Sequence, residues 1–323
     1  MKALITGGAG FIGSHLGETL LAGGHQVVAI DDLSTGAEAN IRHLLGQPGF
    51  QFVLETITHE GVMDRLVSEC DTVFHLAAAV GVELIVRDPV HTIETNVLGT
   101  SIVLRLANRY RRKVILASTS EIYGKSAAVP FREDGDGVMG PTTHSRWAYA
   151  NSKAMDEFLA LAYHKQRGLP VVICRFFNTI GPRQTGRYGM VAPRFVRQAL
   201  RGEPLTVYGD GQQSRCFADV TDIVQAVLKL AELPDAIGRV FNLGNTAEIT
   251  ILDLARRVIR LTGSNSPIVM VPYDQAYEPG FEDMRRRVPD ISRAAALIGF
   301  KPAHTLDETL GRIIAYYREQ ERA

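Results

Sequence analysis

The sequence predicts an α/β protein that combines a doubly wound parallel sheet with a smaller C-terminal α/β lobe. Short runs of β-branched and apolar residues alternate with longer stretches of helical period, an order typical of parallel strands covered by helices. The predicted strands are 3–6, 26–30, 50–54, 72–75, 113–117 and 171–175. The predicted helices include 12–22, 90–109 and 149–166. The residues that share one face of the last helix are Ala154, Phe158, Leu161 and Ala162.

The predicted strands and helices become shorter from about Gly181 onward. Joints rich in glycine and proline separate shorter strand and helix segments from there on, at 181–182 and 209–211. We therefore expect a large domain over 1–180 and a smaller lobe formed mainly by 181–323. Part of the second half, 216–245, is expected to return to the large domain. Its predicted elements are a helix over 220–233 and a strand over 239–243.

The composition favours a small-molecule partner. Lysine plus arginine total 35 and aspartate plus glutamate total 35, and neither sign forms a long run. This balance predicts neither a nucleic-acid surface nor a polybasic membrane patch. The three cysteines, Cys70, Cys174 and Cys216, form no CxxC pair, so we expect neither a disulfide framework nor a metal site.

The cysteine pattern favours a reducing cytoplasm, and the N-terminus is consistent with that location. The chain passes from Met1 into a strand pattern with only Lys2 before it, and it shows no charged region or cleavage site of a signal peptide. The sequence also contains no uninterrupted apolar run long enough to cross a bilayer. We therefore expect a soluble protein without a membrane partner.

A glycine-rich turn lies where the first predicted strand passes into the first helix. Gly7, Gly10 and Gly13 would permit a tight turn, let the backbone approach a pyrophosphate and let the helix pack closely on the strand. The next strand pattern ends at Asp31, whose carboxylate would accept hydrogen bonds from the hydroxyls of an adenosine ribose. No arginine stands nearby to receive a 2′-phosphate. These features predict a Rossmann-type domain that binds NAD rather than NADP.

A tyrosine and a lysine stand four residues apart in a predicted helix. Tyr149 and Lys153 therefore project from one face, and a nearby ammonium stabilises a phenolate and lowers the pKa of a tyrosine. Such a tyrosine can accept a proton near neutral pH. The polar segment 118–121 follows the strand 113–117 and so lies at the carboxyl edge of the sheet, where ligands bind in such folds. A hydroxyl there can hold the oxygen that exchanges a proton with the tyrosine.

Taken together, these motifs resemble the extended short-chain dehydrogenase/reductases, a family of NAD-dependent nucleotide-sugar epimerases, dehydratases and decarboxylases. The resemblance covers essentially the whole chain. The matching segments are Gly7-x-x-Gly10-x-x-Gly13, Asp31, His75-Leu-Ala-Ala78, Asn96, 118–124, Tyr149-x-x-x-Lys153, Arg175-Phe-Phe-Asn178, Gly181-Pro-Arg183 and 208–215. The resemblance implies that 1–180 form the NAD-binding domain and that 181–323 mainly bind a nucleotide sugar, most often UDP-linked.

The resemblance also implies a role for each matching residue. Tyr149 is then the catalytic base, Lys153 holds the nicotinamide ribose, and Thr119 bonds the reacting hydroxyl. The implied cofactor contacts are Gly7, Gly10, Phe11, Ile12, Gly13, Asp31, Ser34, Ile57, Leu76, Ala77, Ala78, Asn96, Ser118, Tyr149, Lys153 and Phe176. The implied substrate contacts are Asn178, Val191, Tyr208, Arg215 and Arg287. Asn178 and Arg215 would hold the diphosphate, the arginine through charge-assisted hydrogen bonds.

Two positions need separate interpretation. In many family members the third strand ends in Asp-Ile or Asp-Leu beside the adenine, whereas this chain reads Glu55-Thr56-Ile57, so the adenine contact stays open. His75 stands at a strand end, where a histidine suggests catalysis. It occupies the family's His-Leu-Ala-Ala pattern, however, and we interpret it as structural.

The family's shared step is transient oxidation of the sugar, usually at C4, to a 4-keto intermediate. A plain 4-epimerase needs no second base, yet this chain offers Glu121 beside Thr119 and Ser120. The order Thr-Ser-Glu resembles decarboxylases of UDP-glucuronate, whereas a 4,6-dehydratase is expected to show Thr-Asp-Glu. We therefore place all three residues among the candidate catalytic groups.

Two further segments resemble the decarboxylases. The run Arg146-Trp147-x-Tyr149-x-x-x-Lys153 is similar to bacterial decarboxylases of lipid A modification and to plant apiose/xylose synthases. The run Asp283-Met-Arg-Arg-Arg287 is similar to the place of their catalytic arginine, which aligns best with Arg287. Arg285 and Arg286 are its neighbours, so a solvated basic cluster is the alternative.

The leading hypothesis is NAD-dependent decarboxylation of UDP-glucuronate. A UDP-hexose or UDP-hexuronate 4-epimerase is the alternative, because 77–81 and the middle third of the chain resemble epimerases equally well. A 4,6-dehydratase and a non-catalytic NAD-binding protein are less favoured. The helices 90–109 and 149–166 resemble those that pair in the family's homodimers, so we expect a homodimer.

Overall fold

The computed structural model describes residues 1–81, 88–186, 190–276 and 284–321, apart from the side chains at 146, 274 and 276. Its main element is a seven-stranded parallel sheet, which confirms the predicted fold class. The strands along the chain are β1 (Lys2–Thr6), β2 (Gln26–Asp31), β3 (Phe50–Leu54), β4 (Thr72–His75), β5 (Lys113–Thr119), β6 (Val171–Phe176), β7 (Thr179–Ile180), β8 (Leu205–Tyr208), β9 (Ser214–Cys216), β10 (Ala218–Asp219), β11 (Arg239–Leu243), β12 (Glu248–Thr250), β13 (Ile268–Val271) and β14 (Arg286–Arg287).

The strand order of the main sheet is β11-β6-β5-β4-β1-β2-β3. The order reverses between β1 and β4, which is the point where doubly wound sheets bind ligands. The strands end within two residues of their predicted limits. The greatest difference is at β5, which continues through Ser118 to Thr119 because both residues stay paired with β6.

Helices flank the sheet and fill the connections between strands. Along the described chain they are α1 (Phe11–Ala22), α2 (Glu60–Ser68), α3 (Pro89–Ile93), α4 (Gly99–Tyr110), α5 (Ala148–Arg167), α6 (Val191–Leu200), α7 (Val220–Glu232), α8 (Ile251–Thr262), α9 (Tyr273–Ala276), α10 (Ser292–Ile298) and α11 (Leu306–Gln320).

The single helix predicted over 90–109 is interrupted. A π-helical turn, Glu94–Leu98, separates α3 from α4. Within that turn Asn96 is buried, accepts the Ala79 N–H at 2.9 Å and donates to Ser152 Oγ at 3.0 Å. Such local widening is common beside functional sites, and apolar periodicity does not reveal it.

The two faces of the sheet carry separate apolar layers. Adjacent residues of a strand point to opposite sides, so Leu4 and Ile5 belong to different layers. Helices α1 and α7 pack on the Ile5 side, while α2, α4 and α5 supply the Leu4 side. Strand β11 therefore joins the main sheet parallel to β6, and helix α7 packs on one face of that sheet.

A smaller lobe has its own core. Helices α6, α8 and α11 pack together around Phe195, Leu254 and Ile313, which are fully buried. Two short sheets complete this lobe, one from β8 and β13 and the other from β12, β9 and β14. The second sheet places Arg215 directly beside Arg287 in its register.

Helix α5 buries a different face from the one that its apolar pattern suggests. The buried residues include Tyr149, Lys153 and Asp156, whereas Phe158 is 71% exposed and Met155 is 53% exposed. Of the four residues predicted to share a face, Ala154 and Leu161 are partly buried against apolar clusters, whereas Phe158 is exposed, because this helix also turns polar groups inward. An apolar strip is left on its outer surface.

Within the described ranges, no helix combines the length and the apolar character needed to cross a membrane. The three cysteines are buried and unpaired with one another. The described histidines, cysteines and carboxylates form no group that could hold a metal ion.

Candidate active site

A cleft of about 920 Å³ lies along the carboxyl edge of the main sheet. The segments after β1, β2, β4, β5 and β6 line one side, because parallel strands end at a common edge. Residues of β8, β9 and β14 from the smaller lobe line the other side. The structure brings every predicted site residue to this cleft except Asn96.

The glycine-rich turn forms a tight backbone cradle at one end of the cleft. Gly7 has a φ of 70°, and a Cβ atom there would lie 2.8 Å from the Ala77 nitrogen. A Cβ atom on Gly13 would clash with the Gly7 carbonyl oxygen. Helix α1 begins after Gly10 without a side-chain cap, so its first N–H groups face the cleft with no side-chain acceptor. This cradle fits the pyrophosphate of a dinucleotide.

The carboxylate of Asp31 is held at the end of β2. It accepts the Ala9 N–H at 3.0 Å and the Leu33 N–H at 2.8 Å, and burial raises its pKa above the usual range. Gly36 approaches so closely that a Cβ atom there would lie 2.8 Å from Asp31 Oδ1. The segment 31–41 contains no lysine or arginine, so the site fits the ribose hydroxyls of NAD, and this segment offers no cation to a 2′-phosphate.

Tyr149 and Lys153 lie on the inner face of α5 and border the cleft. Tyr149 is 7% exposed and Lys153 is 2% exposed. The Lys153 ammonium lies 2.8 Å from Oδ2 of Asp156, one turn further along the helix. The predicted spacing thus brings the phenol and the ammonium to one wall, beside a carboxylate that the motif did not include.

The segment 118–121 forms the neighbouring wall. Thr119 ends β5, and its Oγ1 accepts the Glu121 N–H at 3.2 Å, which leaves the threonine hydroxyl hydrogen available to a ligand. Ser118 also borders the cleft, but its hydroxyl donates to Glu157. Ser120, which stands between Thr119 and Glu121, is buried.

Glu121 and Arg287 form an ion pair inside the cleft. Glu121 Oε1 and Arg287 Nη2 are 2.7 Å apart, and the two side chains are 12% and 9% exposed. Arg287 Nη1 also donates to Asn178 Oδ1 at 3.5 Å. Glu121 lies in the first turn of a short 3₁₀ helix, Ser120–Tyr123, but the ion pair gives its carboxylate a partner in the cleft.

The structure distinguishes the three neighbouring arginines. Arg285 is exposed and pairs with Asp210, and Arg286 is exposed and pairs with Glu248. Of the three, Arg287 alone lines the cleft. The basic cluster is therefore solvated at two positions and buried at the third. Asp283 and the side chain of Arg146, which belong to the resembling segments, lie outside the described residues.

The predicted substrate residues lie together on the far wall. Asn178 adopts a positive φ of 32°, and Arg215 is buried with Nη1 donating to the Ser214 and Met284 carbonyls at 2.8 and 2.9 Å. The Arg194 guanidinium lies over the Tyr208 ring, 4.0 Å from the centre of that ring. Cation–π stacking of this kind orients both groups. Val191, the first residue of α6, completes this wall.

Asn96 and His75 lie behind the cleft. Asn96 holds Ala79 and Ser152, and so it supports the cleft wall from behind. His75 is buried between Thr6 and Thr100, and burial, together with the Lys153 charge, lowers its pKa to about 3. This placement agrees with a structural role for His75.

Sequence reasoning missed a buried network beneath the cleft. Arg175 donates to both oxygens of Glu157, at 2.9 and 2.7 Å, and to the Tyr123 hydroxyl at 2.8 Å. Glu157 stands four residues after Lys153, so the helical period already put the two on one face. Sequence reasoning also missed Arg194, which stands three residues after Val191 on α6.

Comparison with known proteins identifies the family. Residues 3–244 match the family model described as the NAD dependent epimerase/dehydratase family. The chain is 42% identical to a UDP-N-acetyl-alpha-D-glucosaminuronate decarboxylase of Bacillus cytotoxicus, over 99% of this chain and 98% of that protein. It is 38% identical to UDP-glucuronic acid decarboxylase 1 of Xenopus tropicalis, over 99% of this chain and 72% of that protein.

A solved structure agrees with these relatives. The UDP-glucuronic acid 4-epimerase of Bacillus cereus, in complex with UDP-glucuronic acid and NAD, superposes with a TM-score of 0.89 at 31% identity, covering 99% of this chain and 100% of that one. The dinucleotide cradle and Asp31 fit the cofactor of that family. The protein is therefore a member of the NAD-dependent epimerase/dehydratase family.

Proposed function

We propose that the protein decarboxylates a UDP-linked hexuronate, with UDP-glucuronate as the first candidate. The observation that carries this proposal is the buried pair of Arg287 and Glu121 in the same cleft as Tyr149 and Lys153. A buried guanidinium can form charge-assisted hydrogen bonds with a sugar carboxylate, whereas a neutral hexose offers it no anionic partner.

Residues of β5 and α5 carry out the first step, which is oxidation of the sugar at C4. Tyr149 accepts the proton of the sugar C4 hydroxyl, and the Thr119 hydroxyl donates to the same oxygen. The Lys153 ammonium stabilises the phenolate that accepts this proton. When bound, NAD supplies the oxidant that takes a hydride from C4. The product of this step is a 4-keto uronate.

The second step uses Arg287 and Glu121. A 4-keto uronate is a β-keto acid, so the C5–C6 bond breaks, carbon dioxide leaves and the bonding electrons move to the C4 carbonyl. We assign Arg287 to the carboxylate before it leaves. We assign Glu121, an anion in its pair with Arg287, to the transfer of a proton from solvent to C5. Thr119 continues to bond the C4 oxygen, where the negative charge develops.

The relatives support this assignment. Two are named decarboxylases of UDP-linked uronates, one of an N-acetylated sugar and one of glucuronic acid. The group at C2 therefore distinguishes two candidate substrates of one chemical class. Both are to be offered to the enzyme.

A hexuronate 4-epimerase is the second candidate function. The solved epimerase named above binds UDP-glucuronic acid, and Arg287 would suit its carboxylate equally well. Incubation of the purified protein with UDP-glucuronate, followed by mass analysis, separates the two. Loss of carbon dioxide supports the decarboxylase, whereas a product of unchanged mass that is inverted at C4 supports the epimerase.

The division of the chain and its assembly are part of the proposal. We assign NAD binding to 1–180 with 216–245, and sugar-nucleotide binding mainly to 181–323.

We also propose a cytoplasmic homodimer that pairs through α3, α4 and α5. The support is an outer strip of exposed apolar side chains, Val90, Ile93, Leu98, Met155 and Phe158.

Replacing Tyr149 with phenylalanine is expected to lower kcat about 10²–10⁴-fold, because only the proton-accepting oxygen is removed. NAD affinity, measured by calorimetry, should change little. Tyr163→Phe, on the same helix but away from the cleft, is the matched control. Near-normal turnover by Tyr149→Phe would exclude the tyrosine as the base.

Arg287→Ala should lower kcat/KM for UDP-glucuronate about ten- to a hundredfold, the value of a lost charge-assisted hydrogen bond. Glu121→Gln should still produce NADH absorbance on substrate addition while release of carbon dioxide slows. Arg285→Ala is the matched control, because that neighbour is exposed and pairs outside the cleft. An Arg287→Ala enzyme as active as the Arg285→Ala enzyme would contradict the assignment.

The unaltered protein should bind NAD much more tightly than NADP, since the Asp31 carboxylate repels a 2′-phosphate. Asp31→Ala should narrow that difference, and Asp32→Ala, at an exposed neighbour, should narrow it less. Calorimetry at fixed salt measures both affinities. Equal affinities of the unaltered protein for the two cofactors would overturn the role of Asp31.

Phe158→Asp should shift the protein from dimer to monomer in sedimentation experiments, because a charge would be buried in the apolar contact. Leu54→Asp is the control, since Leu54 is 63% exposed but lies on the edge strand β3. An unaltered protein that sediments as a monomer, or a Phe158→Asp protein that remains dimeric, would rule out this interface.

A further inference from the structure

A buried carboxylate faces the lysine of the cleft. Lys153 and Asp156 lie three residues apart on α5, with Nζ 2.8 Å from Oδ2 and side chains only 3% and 1% exposed. An ammonium has three hydrogens, so one bond to Asp156 leaves two for a ligand. Asp156 itself does not border the cleft. It can therefore act on the reaction only through Lys153.

A chain of side chains continues from Asp156 to the loop after β4. The Thr100 hydroxyl lies close enough to Asp156 to lower the pKa of that carboxyl, and the described hydrogen bonds leave Asp156 Oδ1 without a partner. His75 Nε2 lies 3.0 Å from Thr100 Oγ1, and His75 Nδ1 lies 2.7 Å from Thr6 Oγ1. Thr6 Oγ1 in turn accepts the N–H of Ala77, which borders the cleft, at 3.2 Å. The chain thus joins the loop at the cofactor cradle to the catalytic helix.

The charge of Asp156 favours one order of donors along these side chains. A carboxylate beside an ammonium is ionised and only accepts, so the Thr100 hydroxyl hydrogen is attracted towards Asp156 and the Thr100 oxygen accepts from His75 Nε2–H. A neutral imidazole then has Nδ1 as acceptor, and the Thr6 hydroxyl donates to it. Burial keeps His75 neutral, with its pKa lowered to about 3. This order gives each described hydrogen bond one donor and one acceptor.

The other charged groups nearby have partners of their own. Glu157, next to Asp156 on α5, bonds to Arg175 of β6 and to Ser118 of β5. The charged or phenolic side chains of α4 point to α2, where Arg105 bonds Glu60 and both Arg109 and Tyr110 bond Asp64. Among the described contacts of Lys153, Asp156 is thus its counter-ion.

We propose that Asp156 is a positioning residue that keeps Lys153 charged and directed at Tyr149 and the cofactor site, and that it sets the alkaline limit of activity. The proposal rests on the roles assigned above to Tyr149 and Lys153. Without Asp156, a buried ammonium would lack a counter-ion and would give up its proton more readily. Burial raises the pKa of Asp156, and the nearby Lys153 charge and the Thr100 hydroxyl oppose that rise.

Asp156→Asn tests the charge with little change of shape. Its kcat at neutral pH should fall, but by less than the roughly 10²–10⁴-fold expected for loss of the tyrosine base. KM for UDP-glucuronate should stay within about twofold, because Asp156 does not contact the sugar site. The alkaline limb of the kcat profile should move down by about one to three pH units, the usual effect of one close opposite charge.

Two variants keep this test interpretable. Thr100→Val preserves the charge but removes the hydroxyl beside Asp156, and it should move the alkaline limb in the same direction by a smaller amount. Asp219→Asn removes another buried carboxylate, one paired with Arg312 and Thr309 away from the cleft, and should leave the limb unmoved. Thermal unfolding of all three variants separates lost stability from a changed profile. The proposal is overturned if the alkaline limb of the kcat profile does not move in a folded Asp156→Asn protein. It is also overturned if Asp219→Asn moves that limb as far as Asp156→Asn does.

A readout without turnover completes the test. Nitrogen NMR of the imidazole in the unaltered protein should show His75 as the neutral Nε2–H tautomer from about pH 5 to pH 9, well above the buried group's titration. The Nδ1–H tautomer would contradict the donor order. If the unaltered enzyme turns over neither UDP-glucuronate nor UDP-glucose, the proposed function fails, whereas the NMR result still decides the orientation of the chain.

Discussion

The buried ion pair between Arg175 and Glu157 is the contact on which the geometry of the cleft depends. Arg175 is the next-to-last residue of β6 and pairs with Ser118 of β5, and Glu157 belongs to the helix that carries Tyr149 and Lys153. Its two-pronged bond ties β6 to the helix that presents the tyrosine. The Ser118 hydroxyl donates to the same Glu157 carboxylate and so ties β5, the strand that presents Thr119, to that helix. Because parallel strands end at one edge, a single tie of this kind fixes the relative position of groups that lie far apart in sequence.

The same logic explains why so many charges lie under and within the cleft. A single buried charge is strongly unfavourable, but a bonded pair recovers much of the lost hydration energy and is costly to break. Lys153 pairs with Asp156 and Arg287 pairs with Glu121, each at a distance below 3 Å. The groups are thus held in place before any ligand binds. Preorganised charge of this kind needs little rearrangement when a reaction develops charge.

The sequence predicted the sheet well because strand ends, glycine turns and the Tyr149-x-x-x-Lys153 spacing are local signals. It could not reveal which side of α5 is buried, since that side carries polar groups whose partners come from β5, β6 and α4. Asn96 shows the same limit, because a residue that stabilises a wall from behind looks in sequence like one that lines it. The choice of Arg287 over Arg285 and Arg286 also required the structure. Alternation along a two-residue strand and the position of Asp210 and Glu248 decide it.

The Arg287–Glu121 pair has a consequence for the proposed reaction. A uronate entering the cleft would bring a second carboxylate to a guanidinium that Glu121 already neutralises, so the two anions would share one cation and repel each other. Loss of carbon dioxide removes the sugar's negative charge from this position and transfers it to the C4 oxygen beside Thr119. The repulsion is therefore present in the bound substrate and is relieved along the reaction, which is the condition under which a contact lowers a barrier rather than only strengthening binding. A neutral hexose would leave the ion pair intact and gain nothing from it.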